Sequence, residues 1–363
     1  MRVVITCGGT GGHIIPAIAI ADIVKDRWNE AEILFIGATG GMERTLVERA
    51  GYDIRTLRVE GLSRKMTPAN FKSAWLAVRA VSHALHILDD FSPDIVIGTG
   101  GYACYPALRA AIRRGIPTVA HESNATAGLA IRQLSGRLSR VWLNFDAARE
   151  TLDPRAKVLT VGNPLPRDYA QPAPIALPTG KRRMVLSFGG SLGADAINNA
   201  ILELMEREKK PDDIYHVHAT GARSYDAFCA RMREKRLLGR SQFKVVPFLS
   251  PMASYMAAAD VVICRAGAMS ISELAALARP AILIPSPNVT GNHQYKNAKA
   301  LADKGAALLL EEQQLSEQAL CNAVFSLLSD ARARVAMSQA IKTFHHPGAN
   351  REIVADICKI CDK

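Results

Sequence analysis

Gly8-Gly9-Thr10-Gly11-Gly12-His13 follows the apolar stretch Val3-Val4-Ile5-Thr6 and precedes a helical pattern over residues 14–21. A strand, a glycine-rich loop and a helix in this order are typical of a parallel α/β sheet. Glycines let a ligand approach the backbone amides closely, and the helix N-terminus that follows favours an anion. The loop therefore predicts an anion or sugar site, and a tight turn without a ligand is the alternative.

Two familiar nucleotide motifs do not fit this loop. The dinucleotide pattern needs a glycine where Ile14 stands, and a P-loop needs a Lys-Ser or Lys-Thr after the glycines. The loop is therefore expected to bind neither NAD nor ATP in the usual way.

The second half of the chain repeats the plan of the first half. A predicted strand at 184–188 leads into Gly189-Gly190-Ser191-Leu192-Gly193 and another helix. Alternating strands and helices predict an α/β fold of two doubly wound, Rossmann-like domains that face each other across a cleft. A Pro-rich stretch at 171–180 predicts a linker. The predicted strands are 3–7, 33–36, 54–57, 94–97, 118–120, 141–143 and 158–161, then 184–188, 214–219, 243–246, 261–264, 281–284 and 307–310.

Composition narrows the class of ligand. The 363 residues are 48% hydrophobic and carry a net charge of +11, which favours phosphorylated ligands or an anionic membrane surface. The basic residues are dispersed and aromatic residues make up only 6%, so nucleic acid is not expected as a partner. Seven scattered cysteines suggest a reducing compartment. No Asp-x-Asp occurs, so no metal cofactor is expected.

Several polar segments follow predicted strands. His121-Glu122-Ser123-Asn124 and Gly98-Thr99-Gly100-Gly101-Tyr102 are expected to join the 8–13 loop around one pocket. Arg265 and the residues after it open a helix that carries Glu273, whose carboxylate suits the two hydroxyls of a ribose. The alternative is a capping box, because Ser270 and Glu273 have the right spacing.

One predicted helix has an apolar stripe close to basic residues. Phe71 and Trp75 recur at helical spacing, with Lys72 and Arg79 beside them. This pattern is typical of an amphipathic helix packed on a core. It also fits a patch that contacts a membrane surface, and the sequence leaves both open.

Together these segments resemble the lipid II synthase family, which are bacterial glycosyltransferases of the two-Rossmann (GT-B) class. The motifs that carry the resemblance are the 8–13 loop with Pro16-Ala17, Gly100-Gly101-Tyr102, His121-Glu122 with Asn124, Gly162-Asn163-Pro164, Gly189-Gly190-Ser191, Ser272-Glu273, and Gln294 with Asn297-Ala298. The occurrence of all these motifs in this order, over nearly the whole chain, is specific evidence for the resemblance.

The resemblance implies a reaction. N-acetylglucosamine moves from UDP-N-acetylglucosamine to the C4 hydroxyl of the muramyl sugar of lipid I, an undecaprenyl-diphosphate-linked acceptor, with inversion and loss of UDP. It implies a role in peptidoglycan synthesis, and so in cell shape and division. It also implies a peripheral location at the cytoplasmic face of the plasma membrane and partners among other cell-wall synthesis proteins. The alternatives are a related enzyme that glycosylates diacylglycerol, and a nucleotide-sugar sensor without activity.

The resemblance also assigns domains and residues. Residues 1–163, with a C-terminal helix at 342–363 that packs back on them, form the acceptor and membrane-side domain, and residues 164–341 bind the UDP-sugar. His13 is the candidate base or phosphate contact, and Glu122 is the second candidate for the base. The other implied substrate-binding residues are Thr10, Gly11, Gly12 and Asn124 at the donor sugar, Ser191, Ala268, Met269, Ser270, Ile271 and Ser272 near the diphosphate, Leu249 at uracil, Glu273 on the ribose, and Gln294 at the sugar or phosphate.

This sequence departs from the family pattern in one place that affects a site residue. The family often has arginine three residues after the asparagine of Asn-Pro, where Pro166 stands here. Arg167 follows one position later and is carried over in its place.

Overall fold

The computed structural model describes residues 1–59, 68–190, 193–208 and 213–362, and within these ranges not the side chains of 68–78, Thr290 and Glu317. The chain divides into two compact units. Unit 1 comprises Met1–Leu165 together with His346–Lys363, and unit 2 comprises Pro166–His345. The Pro-rich stretch at 171–180, predicted as a linker, lies wholly within unit 2.

Unit 1 is built on a parallel sheet that has seven strands in the described ranges, in the order β3-β2-β1-β4-β5-β6-β7. Its central strands are buried on both faces, because helices cover both faces of a doubly wound sheet. The strands are β1 (Arg2–Thr6), β2 (Glu32–Ala38), β3 (Asp53–Leu57), β4 (Ile95–Gly98), β5 (Thr118–Glu122), β6 (Arg140–Leu143) and β7 (Val158–Thr160).

The helices of unit 1 form a layer on each face of this sheet. They are α1 (Gly11–Arg27), α2 (Glu43–Arg49), α3 (Pro68–Phe91), α4 (Cys104–Arg114), α5 (Leu129–Leu134) and, from the end of the chain, α13 (Ala349–Cys361). Apolar residues of α3, α4 and α5 share one core cluster, and those of α1, α2 and α13 share the other.

Helix α13 is tied into unit 1 by a buried carboxylate. Asp356 Oδ2 accepts hydrogen bonds from Trp142 Nε1 at 2.7 Å and from Arg140 Nε at 3.0 Å. Ile353 and Ile357 of the same helix are fully buried in the core cluster beside α1. The last residues of the chain thus complete the first unit.

Unit 2 repeats the architecture, with six strands in the described ranges in the order β10-β9-β8-β11-β12-β13. The strands are β8 (Arg183–Phe188), β9 (Ile214–Ala219), β10 (Phe243–Val246), β11 (Val261–Cys264), β12 (Ala281–Leu283) and β13 (Leu308–Leu309). The helices are α6 (Asp195–Glu208), α7 (Tyr225–Glu234), α8 (Met252–Ala258), α9 (Ala268–Ala276), α10 (His293–Ala302), α11 (Glu317–Ser329) and α12 (Ala331–Lys342).

In both units the strand order reverses beside the first strand. The reversal lies between β1 and β4 in unit 1 and between β8 and β11 in unit 2. Ligands of open α/β sheets bind at such a point, outside the carboxyl ends of the strands. The loops after these four strands, which contain the two glycine loops, are therefore the places to look for a site.

A chain of buried polar groups runs through the core of unit 2. Glu208 Oε2 accepts from His216 Nδ1 at 2.7 Å, His216 Nε2 accepts from the Ser187 hydroxyl at 2.7 Å, and Ser187 Oγ accepts from His218 Nδ1 at 2.8 Å. All four residues have no exposed surface. Burial and, to a smaller extent, the neighbouring His216 lower the pKa of His218 to about 3, although the bond to the Ser187 carbonyl opposes the change. His218 is therefore neutral at ordinary pH.

Candidate active site

The two glycine segments of unit 1 interlock at the reversal of the sheet. Gly101 has φ +87°, and a Cβ there would overlap the carbonyl of Gly8. Gly100 has φ +108°, and a Cβ there would lie 2.6 Å from His13 Nδ1. Neither position accepts a side chain, so the 8–13 loop and the loop after β4 form one surface, as the sequence predicts.

Helix α1 begins within this surface. Thr10 is the residue before its first turn, and Gly11 and Gly12 are its first two residues. Their amides therefore belong to the helix end that carries partial positive charge. Thr10 and Gly12 are exposed and Gly11 is half-buried, which leaves the backbone open to a ligand.

His13 is held in one orientation by the loop after β4. Its Nδ1 lies 3.0 Å from the carbonyl oxygen of Thr99, and the Thr99 hydroxyl donates to the His13 carbonyl at 2.7 Å. A carbonyl only accepts, so Nδ1 carries the proton of the neutral imidazole. In that neutral form the lone pair is on Nε2, the nitrogen that a general base uses.

Glu122 has a different environment from His13. It is 2% exposed, and Oε1 accepts from the amide and the side chain of Asn124 at 2.9 and 3.1 Å. Oε2 accepts from the amide of Gly128 at 2.8 Å, just before α5. Burial raises its carboxyl pKa, and the bonds from Gly128 and Asn124 oppose the rise. Glu122 thus organises the loop after β5 and orients Asn124.

His121 lies between this loop and the end of β7. Its Nε2 donates to the carbonyl of Gly162 at 3.0 Å, and its ring is fully buried. Its pKa is lowered to about 4, mainly by burial and also by the nearby His13, although the bond to Gly162 opposes the change. His121 is therefore a neutral structural residue that joins the Gly162-Asn163 turn to the site.

In unit 2, the segment after β11 also opens a helix, but its start differs from one prediction. Helix α9 begins at Ala268 with Gly267 as its cap, so Ser270 already lies inside the first turn. The capping-box alternative for Ser270 and Glu273 is therefore wrong, because a capping serine must precede the helix. Glu273 lies in the second turn and is available for another role.

The residues at 268–272 that were predicted to lie near the diphosphate differ in whether their backbone amides are open to a ligand. The amides of Ala268, Met269 and Ser270 belong to the first turn and point out of the helix end. Ile271 donates its amide to Gly267 at 3.0 Å and is buried in the core, and Ser272 is also buried. The anion-binding capacity thus lies at residues 268–270.

Glu273 receives a hydrogen bond from the phenol of Tyr169, a residue that the sequence analysis missed. The pKa of this carboxyl is raised to about 7, mainly by burial and also by nearby Asp168, while the bond from Tyr169 opposes the rise. Tyr169 is buried, and Asp168 is exposed. The sequence around Pro166 gives no sign of this contact, because Tyr169 and Glu273 are more than 100 positions apart.

Two amide side chains organise the loops near α10. Gln294 Oε1 accepts from the amide of Ser286 at 2.8 Å, so its amide group is held at the start of α10. Asn297, which is fully buried, donates to the carbonyl of Ala266 at 3.3 Å. Asn297 therefore ties α10 to the turn that begins α9.

The remaining predicted residues are Leu249, Arg167, Ser191 and the members of the membrane patch. Leu249 is buried after β10, at the same edge of the sheet as α9. Arg167 lies on an exposed turn next to Asp168. Ser191 lies outside the described residues, as do the side chains of Phe71, Lys72 and Trp75, whereas Arg79 is exposed on α3.

No group of three or more His, Cys, Asp or Glu residues in the described ranges is arranged to hold a metal ion. Within the same ranges, no helix has the length and apolar character needed to cross a bilayer.

Comparison with known proteins defines the class. The glycosyltransferase family 28 N-terminal domain matches residues 3–143, and the glycosyltransferase family 28 C-terminal domain matches residues 184–353. The chain belongs to this family and is a glycosyltransferase.

Curated relatives that match nearly the whole chain share one name. A protein of Acetivibrio thermocellus is 38% identical, with 99% of each chain covered, and one of Desulforudis audaxviator is 38% identical over 100% of this chain and 99% of its own. Both are called UDP-N-acetylglucosamine--N-acetylmuramyl-(pentapeptide) pyrophosphoryl-undecaprenol N-acetylglucosamine transferase. The crystal structure of MurG from Acinetobacter baumannii aligns with a TM-score of 0.76, 27% identity and 99% coverage of each chain. This confirms the predicted fold of two doubly wound domains of the GT-B class.

Proposed function

We propose that this chain transfers N-acetylglucosamine from UDP-N-acetylglucosamine to the C4 hydroxyl of the muramyl sugar of lipid I, and so makes lipid II. The observation that carries the proposal is the full-length similarity to relatives named for this transfer, at 38% identity. No observation favours diacylglycerol as the acceptor or a sensor without activity.

In this proposal the two units divide the work. Unit 2 binds the donor: the first turn of α9 faces the diphosphate, Glu273 accepts from the ribose hydroxyls, and Gln294 contacts the sugar or phosphate. Unit 1 binds the acceptor along the 8–13 loop, and its residues Thr10, Gly11, Gly12 and Asn124 approach the donor sugar. The net charge of +11 favours both anionic substrates.

The chemical step is an inverting displacement. The acceptor oxygen forms a bond to the anomeric carbon, the bond from that carbon to the β-phosphate oxygen breaks, and UDP leaves with the electron pair. The acceptor's hydroxyl proton passes to Nε2 of His13, whose Nδ1 proton is committed to Thr99. Backbone amides at the helix ends stabilise the charge that develops on the leaving group.

The test is transfer with a panel of acceptors. The protein is incubated with UDP-N-acetylglucosamine and a lipid I analogue, diacylglycerol or no acceptor, and the products are separated by mass. A disaccharide product only with the lipid I analogue supports the proposal. Donor binding without a product from any acceptor would indicate a sensor and overturn it. Metal independence is a separate prediction, which is tested by repeating the assay in EDTA.

We also propose that the protein binds the cytoplasmic face of the membrane peripherally, through the Phe71, Lys72, Trp75 and Arg79 patch. An apolar stripe with basic residues beside it supports this location, because such a surface suits anionic lipid headgroups. Trp75→Glu is expected to reduce binding to anionic vesicles in a sedimentation assay. Equal binding of the variant and the parent protein would assign the stripe to the core.

A further inference from the structure

A buried thiol lies where the loop after β4 enters helix α4. Cys104 is the first residue of α4 and has no exposed surface. Its Sγ accepts a hydrogen bond from the amide of Gly100 at 3.2 Å and lies 2.8 Å from the carbonyl oxygen of the same residue. The sulfur also lies 2.9 Å from the carbonyl oxygen of Thr6, at the end of β1. One side chain thus joins the loop after β4 to the end of the first strand.

The thiol of Cys104 is both a donor and an acceptor. Burial and, to a smaller extent, Glu43 raise its pKa to about 12, while its hydrogen bonds oppose the rise. The thiol therefore keeps its proton at ordinary pH and shares it between the carbonyl oxygens of Thr6 and Gly100. An alanine at this position would leave the buried amide of Gly100 without this partner.

The backbone groups that Cys104 contacts belong to the segment that orients His13. The Thr99 amide donates to the same Thr6 carbonyl at 3.0 Å, and the Thr99 carbonyl oxygen lies 3.0 Å from His13 Nδ1. Gly100 packs against the ring, because a Cβ there would lie 2.6 Å from Nδ1. A shift of the Thr99-Gly100 peptide would therefore disturb the hydrogen bond and the packing of the imidazole together.

We propose that Cys104 is a positioning residue for His13, because its buried thiol fixes the Thr99-Gly100 peptide against the end of β1. The proposal rests on the assignment of His13 as the base of the transfer reaction. The thiol is fully buried, so it acts through the loop after β4 and not on a substrate. Its effect is therefore expected on the chemical step, with little effect on the affinity for the donor, which unit 2 is proposed to bind.

Two further hydrogen bonds restrain the same loop. The Thr6 hydroxyl donates to the carbonyl of Ala103 at 3.4 Å, and the Thr99 hydroxyl donates to the carbonyl of His13 at 2.7 Å. Both bonds remain when the thiol is removed. Loss of the thiol is therefore expected to loosen the loop without unfolding it.

The experiment compares Cys104→Ala and Cys104→Ser with the parent enzyme. Alanine removes the hydrogen bonds of the side chain, and serine restores a donor and an acceptor at the same position. Cys321→Ala is the matched control, because it removes another buried thiol, from α11 in the core of unit 2. Melting temperatures establish that each variant is folded. If Cys104→Ala does not fold, Cys104→Val takes its place, since valine fills the space of the thiol without a hydrogen bond.

Each variant is measured in two ways. Transfer to a lipid I analogue gives kcat and the KM for UDP-N-acetylglucosamine. Imidazole ¹⁵N NMR, assigned with His13→Gln, gives the tautomer of His13 independently of activity. In the parent enzyme we expect the proton of the neutral ring on Nδ1, opposite the Thr99 carbonyl.

We expect Cys104→Ala to lower kcat by about tenfold and to change the KM for the donor less than about twofold, since a misplacement of about 1 Å can cost about 10²-fold in rate. The tautomer of His13 should become mixed. Cys104→Ser should recover most of the rate, and Cys321→Ala should match the parent in both measurements. Added to His13→Gln, the alanine should have little further effect, because its effect passes through the imidazole.

The outcomes separate this proposal from the one on which it rests. An unchanged tautomer in folded Cys104→Ala overturns the positioning role. A loss of kcat that is equally large in the His13→Gln background overturns it too, because the thiol then acts by another route. A mixed tautomer in Cys104→Ala at the parent's kcat supports the positioning role and contradicts the assignment of His13 as the base.

Discussion

The orientation of the His13 side chain is set by its neighbours. The Thr99 carbonyl takes the Nδ1 proton, and Gly100 leaves just enough room for the ring. We expect His13→Gln to lower the rate of transfer about 10²–10⁴-fold, the usual contribution of a general base, with little change in UDP affinity. The measurement is kcat with a lipid I analogue beside UDP binding by calorimetry.

The matched comparison is Glu122→Gln, which removes the other candidate base. Its amide would place a donor against the amides of Asn124 or Gly128, so we expect the melting temperature to fall together with activity. If instead Glu122→Gln stays as stable as the parent and loses all turnover, while His13→Gln remains active, the roles of the two residues are reversed.

We expect Glu273 to lower the free energy of unfolding at high pH and to contribute to UDP binding. Its pKa in the folded protein, about 7, is raised from 4.5, so its contribution to stability is complete below about pH 4.5 and is lost as the pH rises through 7. Glu273→Gln should therefore raise the free energy of unfolding at pH 8, by on the order of 3 kcal/mol, and change it little at pH 4.

The same variant should weaken UDP binding at pH 8, since loss of a hydrogen bond to a charged group costs on the order of 1.5–3 kcal/mol. Urea unfolding at the two pH values and calorimetry with UDP are the measurements. Tighter UDP binding by Glu273→Gln would contradict its assignment to the ribose.

Among the elements, β8 and β9 carry polar residues where parallel strands usually carry apolar ones. Ser187 joins His216 and His218 across the two strands. Ser187→Ala leaves a buried acceptor and a buried donor without this partner, so we expect a loss of about 2–4 kcal/mol in unfolding free energy. Denaturant unfolding is the measurement, and Ser329→Ala, an exposed hydroxyl on α11, is the control. A loss no larger than that of the control would show that the buried hydrogen bonds of Ser187 contribute nothing to stability.

Helix α9 shows why local patterns mislead about element ends. Ser270 and Glu273 have the spacing of a capping box, yet the helix starts two residues before Ser270. Gly267 is an adequate cap, and burial of Ala268 and Met269 extends the helix to them. The strands, by contrast, were all predicted to within two residues, because buried parallel strands are continuous apolar runs bounded by turn residues.

At the level of the molecule, the end of the chain completes its beginning. Asp356 on α13 satisfies the buried indole of Trp142 and pairs with Arg140. We expect Asp356→Ala to lower the stability of unit 1 by about 3–5 kcal/mol, since it leaves a buried donor and a charge without their partner. Differential scanning calorimetry should show the effect, and Lys359→Ala, which is exposed on the same helix, should not. An unchanged transition in Asp356→Ala would mean that the apolar contacts of α13 suffice.

Alternating apolar strands and amphipathic helices were enough to predict two doubly wound units, and the glycine loops after their first strands remain the predicted ligand sites. These features can be predicted from the sequence because each depends on residues that are close together in it. The tautomer of His13 depends on Thr99, and Tyr169 contacts Glu273, and in both cases the two residues are far apart in sequence. Glu122 bonds to the nearby Asn124 and Gly128, but its burial is decided by the fold. Only folding brings such groups to hydrogen-bond distance and removes water from them, and that step decides the hydrogen bonds and the charge state of these polar residues.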